Sequence, residues 1–378
     1  MIYFDSAAST CPKKEVLDVF LSASQDEYAN PSSTHAYGRS GGRLLESARK
    51  QTLDLFGVSA THQAIFLSGA TEANNLVLKG IAFNYQNRGK KILVSAVEHP
   101  SVLEPARYLA KAFGFEVVEL PVDSYGRVSP ETLQAHMDKD VILVSIMGVN
   151  NETGTINDLK ALSQITHRYP KCFFHSDLTQ AIGKVEIDFS CLDLFSFSGH
   201  KIHGLKGVGA LIYKKNIRFV PVLHGGGQEF GYRSSTVALP LALSLSKALE
   251  LSLASAKNNL AHVKSLREAL LQGLENEEIR VNSPLDEAGS PYVLSLSLLR
   301  HKASVIMEGL SEEGIYVSTS SACSASLEKP SYVLLSMGVD EDSAKNAIRV
   351  SFSEGNTLDE VRLFLASFHR LLKEIHAR

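Results

Sequence analysis

Over its first two-thirds the chain alternates short apolar, strand-like runs with segments of helical pattern. That alternation confines it to a parallel sheet covered by helices. The runs share a second habit, which is to end in polar clusters. AIFL leads into Ser68-Gly69-Ala70-Thr71-Glu72, KILVSAV into Glu98-His99-Pro100-Ser101, and VILVSIM into Gly148-Val149-Asn150-Asn151-Glu152. CFFHS leads into Asp177-Leu178-Thr179-Gln180, and the run Leu192–Phe197 into Ser198-Gly199-His200-Lys201. In open parallel sheets ligands collect beyond the carboxyl ends of the strands, so five clusters far apart in sequence can converge on one crevice. Singly, each cluster reads as a solvated turn; together they read as a site.

Beyond about residue 258 the pattern changes. Leu260, Val263, Leu266, Leu270 and Leu274 make a helical stripe. A strand-like YVLSLSLL, a helix around ASVIMEGLSEEG, a strand AIRVSF and a closing helix LDEVRLFLASFHRLLKEI follow. The expected fold class is α/β, with a large domain over 13–257 built on a mainly parallel sheet and a smaller α+β domain over 258–378. Residues 1–12 are expected to pack on the smaller one.

A formal net charge of −3 over 378 residues leaves no basic surplus for nucleic acid or a membrane surface. No apolar run approaches the ~20 residues of a spanning helix. The start, MIYFDSAASTCPKKEV, has no basic stretch leading into an apolar core, so no secretory signal is expected and the cytoplasm is the expected compartment. The four cysteines are therefore poor ground for disulfides. Cys172 in KCFF and Cys191 beside the next apolar run read as structural thiols. No metal site is assigned.

The clusters suggest chemistry. Gly69, Ala70 and Thr71 form a glycine turn opening a helix, where free N–H groups and the helix dipole favour a phosphate, although an ordinary cap looks the same. Asp177 is a carboxylate in a mostly apolar stretch, costly to bury unless paired. A protonated heteroaromatic nitrogen would suit it, and so would a helix start. Gln180, three residues on, could bond a ring oxygen. His99 could stack on a planar ring or simply cap the helix after it. A desolvated Lys201 could act as a neutral amine and form a Schiff base, with Ser198 and His200 beside it for a phosphate. Phosphate, ring nitrogen, ring oxygen, ring face and amine are together the needs of pyridoxal 5′-phosphate (PLP).

FSGHKIHGLKGVGALI, LSGATEANNLVLKG, VSIMGVNNETG, HSDLTQAIGK and HGGGQEFGYRSST closely resemble the NifS/IscS-type cysteine desulfurases, PLP enzymes of the class V aminotransferase group with fold type I. The resemblance runs from YFDSAAST to AIRVSFS, almost the whole chain. It implies that Lys201 binds the cofactor aldehyde, Asp177 the pyridine nitrogen and Gln180 the ring hydroxyl, with His99 stacked on the ring. It gives Thr71, Ser198 and His200 to the phosphate, together with Thr236 from the other subunit of a homodimer. Asn151 and Arg349 match residues near the substrate carboxylate, with Asn30 as a helper; a guanidinium fork suits a carboxylate. The implied reaction turns L-cysteine into L-alanine and leaves sulfur as a persulfide on Cys323, for an iron–sulfur scaffold or a sulfur-relay protein.

Cys323 lies in STSSACSASLEKPSYVL, where small polar residues suit a nucleophile that must travel and are a poor apolar shell for a buried thiol. Here Lys329 is inserted before the proline of the family pattern. Leu178 replaces a small residue after the aspartate and could alter packing beside the ring. His203 and Leu205 replace a tyrosine and a proline. Phe230 and Ser235 replace an arginine and a glycine near Thr236. A selenocysteine lyase or an aminotransferase on the same fold remains an alternative, though Cys323 disfavours the second. A silent homologue serving as a binding subunit is another, and the intact Lys201, Asp177 and His99 speak against it.

Overall fold

The computed structural model describes residues 1–275, 278–319 and 329–375. Its centre is a seven-stranded sheet in the order His62–Leu67, Gly209–Lys214, Leu194–Ser198, Phe173–Asp177, Val141–Ser145, Lys91–Ser95, Glu116–Leu120. Strand Gly209–Lys214 is antiparallel to both neighbours and the other pairings are parallel. Six strands therefore run one way, and the five polar clusters emerge at one edge. The central strands are apolar on both faces because both are covered: Val141–Ser145 and Leu194–Ser198 are buried throughout. Gly209 shows how tightly the edge is built. A Cβ there would meet the carbonyl oxygen of Phe197 at 2.4 Å and Gly69 Cα at 2.7 Å, so only glycine lets this strand lie against the helix start at Gly69.

On one face of the sheet the helix Ala70–Tyr85 buries Leu76, Val77 and Ile81 against Ile65, Val94 and Leu211. On the other face lies the helix Leu239–Gly273. Its first half puts Ala242, Leu245 and Leu249 into the core under the large sheet, and its second half puts Val263, Leu266 and Leu270 into a second core. Position 258, where the sequence pattern changes, thus falls inside one continuous helix. Among the described residues this is the one helix long and apolar enough in composition to cross a membrane. Lys247 and Glu250 interrupt its apolar stretch and pair with each other at 3.0 Å.

The second core forms on a four-stranded antiparallel sheet in the order Ser318–Thr319, Ala347–Ser351, Val293–Leu298, Ile279–Val281. Helices Ala303–Glu312 and Leu358–Glu374 cover it. The second of these starts with a reciprocal cap between Thr357 and Glu360. Strand Ile2–Tyr3 pairs in parallel with Ile315–Tyr316, and Ile2, Phe4 and Ala7 join this core. The next few residues cross to the large sheet: Thr10 N donates to the His200 carbonyl at 2.9 Å and Lys13 N to that of His203 at 3.0 Å. The lysine-bearing loop is thereby tied to the second core by the N-terminal segment.

Candidate active site

At the carboxyl ends of the parallel strands a cavity of about 610 Å³ is lined by Ala70, Thr71, His99, Asn151, Asp177, Gln180, Ser198, His200, Lys201 and Arg349. Every one of these was singled out in the sequence. Thr71 stands in the first turn of Ala70–Tyr85, whose Ala70 N–H donates to Ser198 Oγ at 2.8 Å. The start of that helix and the end of strand Leu194–Ser198 are thus bonded to each other. Gly69, the residue before the helix, is behind the wall rather than on it, and a Cβ there would come 3.3 Å from Ser198 Oγ.

His99 caps the helix Pro100–Phe113 and accepts the Ser101 N–H on Nδ1 at 3.1 Å, with Ser101 Oγ at 2.8 Å from the same nitrogen. The proton of a neutral ring therefore belongs on Nε2. Burial lowers its pKa, aided by Lys201 and opposed by Asp177. The capping reading and the cavity reading hold together: one nitrogen caps, and the ring lines the cavity.

Asp177 ends strand Phe173–Asp177 and is buried. Its Oδ1 accepts the Thr179 N–H at 2.9 Å and its Oδ2 accepts Asn74 Nδ2 at 2.7 Å. Asn74 belongs to a buried relay that sequence reading missed. Its Nδ2 also donates to Ser101 Oγ at 2.8 Å, and its Oδ1 accepts the Ser196 hydroxyl at 2.5 Å. Ser196 Oγ lies 3.3 Å from His175 Nε2, and His175 Nδ1 lies 2.8 Å from Ser145 Oγ. With the Ser196 proton committed to Asn74, His175 must donate through Nε2 and accept through Nδ1. Burial takes the His175 pKa down to about 4, so its ring is neutral. The relay points all its donors toward Asp177 and His99, which keeps the carboxylate an acceptor. Its signal was present as isolated polar letters, His175 and Ser196, inside runs otherwise fit for a core.

Lys201 ends the short 3₁₀ turn Gly199–Lys201, and its Nζ donates to the carbonyls of Ala7 and Ala8, the latter at 2.8 Å. The N-terminal segment thus supplies acceptors at the lysine. Burial and the charges of Lys201, Lys206 and Lys184 bring the His200 pKa down to about 4, leaving a neutral ring that can still offer one N–H.

The facing wall comes from the second core. Arg349 is 3% exposed on strand Ala347–Ser351. It donates from Nη1 to the Asn151 carbonyl at 3.0 Å and from Nη2 to Asp5 Oδ1 at 2.9 Å. Among the described residues its Nε has no partner, nor does Asn151 Oδ1 or Thr179 Oγ1, and all three atoms are buried in residues that line the cavity. Glu152, also on the wall, is another residue the sequence reading passed over. It accepts the Ser331 hydroxyl at 2.5 Å, and burial raises its pKa to about 7 against the pull of Ser331 and Arg349.

Of the other residues singled out in the sequence, three lie away from this chain's own cavity and the fourth lies outside the described residues. Asn30 is exposed and its Oδ1 accepts the Ser32 N–H at 2.9 Å, a local turn outside this chain's cavity. Thr236 is exposed and does not line the cavity. Leu178 faces away from the site, buried in the large core, where a Cβ on Gly148 would meet its Cδ2 at 2.7 Å. Cys323 lies outside the described residues. On either side of that segment, Ser318–Thr319 pairs with the Arg349 strand, and Lys329 and Pro330 line the cavity.

These donors fit PLP. A carboxylate with donors on both oxygens suits a protonated ring nitrogen, the helix start beside Ser198 suits a phosphate, and Arg349 Nε and Thr179 Oγ1 are buried polar atoms with no partner among the described residues. Comparisons with known proteins identify the family. The Aminotransferase class-V family profile matches residues 2–364. A NifS/IcsS protein homolog from Lactobacillus delbrueckii subsp. bulgaricus is 40% identical over 375 residues, 98% of this chain and 97% of its own length. A cysteine desulfurase IscS from Dictyoglomus turgidum is 36% identical, covering 99% of this chain and 95% of its own. A solved NifS-like protein superposes with a TM-score of 0.92 at 36% identity, over 99% of this chain and all of that one.

Proposed function

The chain belongs to the class-V aminotransferase family, among its NifS/IscS cysteine desulfurases, and from that premise we propose that it takes sulfur from L-cysteine in the cavity at Lys201 and passes it on through Cys323. The observation that carries the reading is the convergence on one cavity of Lys201, Asp177, Gln180 and His99 from strand ends, with Arg349 facing them from the second core.

PLP, when bound, supplies a protonated ring able to hold the electron pair left behind at the substrate α-carbon. Asp177 would face the ring nitrogen and hold its proton. Gln180 would donate to the ring hydroxyl, and His99 would cover the ring face. Thr71, Ser198, His200 and the backbone at Ala70 would hold the phosphate, with Gly69 shaping the turn behind them, joined by Thr236 of a second copy of the chain in a homodimer. Arg349 and Asn151 would take the substrate carboxylate, and the Arg349 Nε, which has no partner among the described residues, is available for it. Lys201 Nζ would take the α-proton. The Cys323 thiolate would then attack the substrate sulfur, breaking its bond to the β-carbon. The products are L-alanine, after protonation, and a persulfide on Cys323, to be collected by an iron–sulfur scaffold or a sulfur-relay protein. We take residues 13–257 and 258–378 as the two domains. We place the protein in the cytoplasm, since Cys11, Cys172 and Cys191 are free thiols among the described residues, the state that compartment maintains.

Two measurements test the reading. Protein supplied with PLP should absorb in the visible, and Lys201→Ala should abolish the lysine-linked band. With L-cysteine and an added thiol reductant to release the persulfide sulfur, alanine and sulfide should form in equal amounts. A protein that stays colourless, or turns over only selenocysteine, overturns it.

A further inference from the structure

Lys184 has no role in the reading above, yet it is built into the site. It is 9% exposed, and its Nζ donates to Gln180 Oε1 at 2.9 Å while lying 5.9 Å from the centre of the Tyr292 ring. Burial takes its pKa down to about 7; Lys201 and Arg349 push the same way, and Glu354 opposes. Gln180 in turn donates from Nε2 to the Ala7 carbonyl at 2.9 Å.

The two ends of a glutamine amide are alike in shape, so its partners decide which faces a ligand. A backbone carbonyl can only accept, so Ala7 requires Nε2, and Lys184 Nζ donates to the Oε1 at the other end. Gripped between Lys184 on Oε1 and Ala7 on Nε2, the Gln180 amide has one orientation. The second hydrogen on Nε2 is then left for an acceptor in the cavity that Gln180 lines. We propose that Lys184 is a positioning residue that fixes this orientation, so that the cavity presents an N–H, and not an oxygen, to an anionic ring oxygen of its ligand.

The inference rests on the reading that PLP occupies the cavity. A hydrogen bond to the ring oxygen stabilises its anion, so losing that bond makes the chromophore hold its proton to higher pH. The experiment is an absorbance titration of PLP-loaded protein. Lys184→Met keeps the length and the apolar stem but removes the donor, and it should raise the absorbance pKa by about one pH unit, tenfold in proton affinity. Lys184→Gln, which keeps a donor, should shift it by less than half as much. In a Gln180→Leu background Lys184→Met should add nothing, because the amide it orients is gone.

An unchanged profile in Lys184→Met overturns the proposal. So does an equal shift in both backgrounds, which would mean that the ammonium acts only through its charge. Should Lys184→Met fail to fold, Lys184→Gln decides: a near-wild-type profile supports the proposal, and a full one-unit shift overturns it. Wild-type protein that binds no PLP would overturn the cofactor reading itself, and is seen before any variant is made.

Discussion

Asn74 Nδ2 donates to Asp177 Oδ2 at 2.7 Å, across 103 residues of sequence, from the second turn of a helix to the end of a strand. The same amide nitrogen serves Ser101 and the amide oxygen receives Ser196. One side chain therefore joins the helix Ala70–Tyr85, the His99 cap and the carboxylate. Asp177 is gripped by donors from Asn74 and the Thr179 N–H, so its charge is aimed before any ligand arrives.

The first prediction removes that grip. Asn74→Leu keeps the branched heavy-atom skeleton but strands the Ser196 hydroxyl and takes a donor from Asp177. Each buried polar group left without a partner costs about 1–3 kcal/mol. The urea midpoint should fall with the denaturant slope unchanged, and PLP affinity should fall as well. A variant as stable as wild type would show that the relay rearranges freely.

The second prediction concerns Asp177 itself. Asp177→Asn keeps the shape and should leave the fold nearly intact. An amide cannot hold a ring nitrogen protonated, so proton removal from the substrate should slow. One charge-assisted hydrogen bond is worth ~1.5–3 kcal/mol, roughly ten- to a hundredfold in rate. Single-turnover rates measure it, and a wild-type rate in the folded variant would reduce Asp177 to a cap for the turn after it.

The strand ends could be read from letters because each lies within a few residues of its own strand: Thr71, His99, Asp177 and Lys201 all follow an apolar run directly. Arg349 could be read for a related reason, since a charge amid AIRVSF must be buried with a purpose. What stayed hidden is tertiary. Asn74 looked like one of two adjacent polar residues on a helix, and only the packing of that helix on the sheet turns it toward Asp177. Glu152 looked like part of a turn, and its partner Ser331 lies 179 residues away. Leu178 looked like a change at the ring because spacing cannot say which way a side chain leaves a strand end; the side chain went into the core.

The third prediction is a pH dependence. Glu98 is fully buried; its Oε1 accepts the Met147 N–H at 2.7 Å and the Ser95 hydroxyl at 2.8 Å, and its Oε2 has no partner among the described residues. Burial raises its pKa to about 8, more than those two donors lower it. In the unfolded chain the group loses its proton near pH ~4.5, while the folded protein keeps it to about 8. Stability from this group is thus whole below ~4.5 and is lost as pH rises toward 8, at up to ~1.4 kcal/mol per pH unit. Glu98→Gln keeps the acceptor and cannot ionise. Its stability relative to wild type should therefore climb from pH 5 to pH 8, as read by chemical denaturation at each pH. A constant difference across that window would mean that Glu98 stays charged in the fold.

The last prediction separates a desulfurase from the other enzymes of this fold. A free thiol has a pKa near ~8.5, so only a few per cent is thiolate at neutral pH. That fraction suffices for attack on a bound substrate, because the reaction is then intramolecular. Cys323→Ser keeps size and polarity but loses nearly all nucleophilicity toward sulfur. It should bind L-cysteine and perturb the PLP spectrum, yet form little alanine and carry no persulfide. The other thiols are poorly placed to substitute. Burial raises the Cys172 pKa well above its ordinary value and takes that of Cys191 to about 11, and Cys11 is exposed beside Pro12, outside the cavity. Serine or alanine at any of these three should preserve desulfuration, although the buried Cys172 would lose some stability. Mass spectrometry after substrate, without reductant, should find one added sulfur on the peptide containing Cys323. An added sulfur on another cysteine, or full alanine production by Cys323→Ser, would refute the assignment.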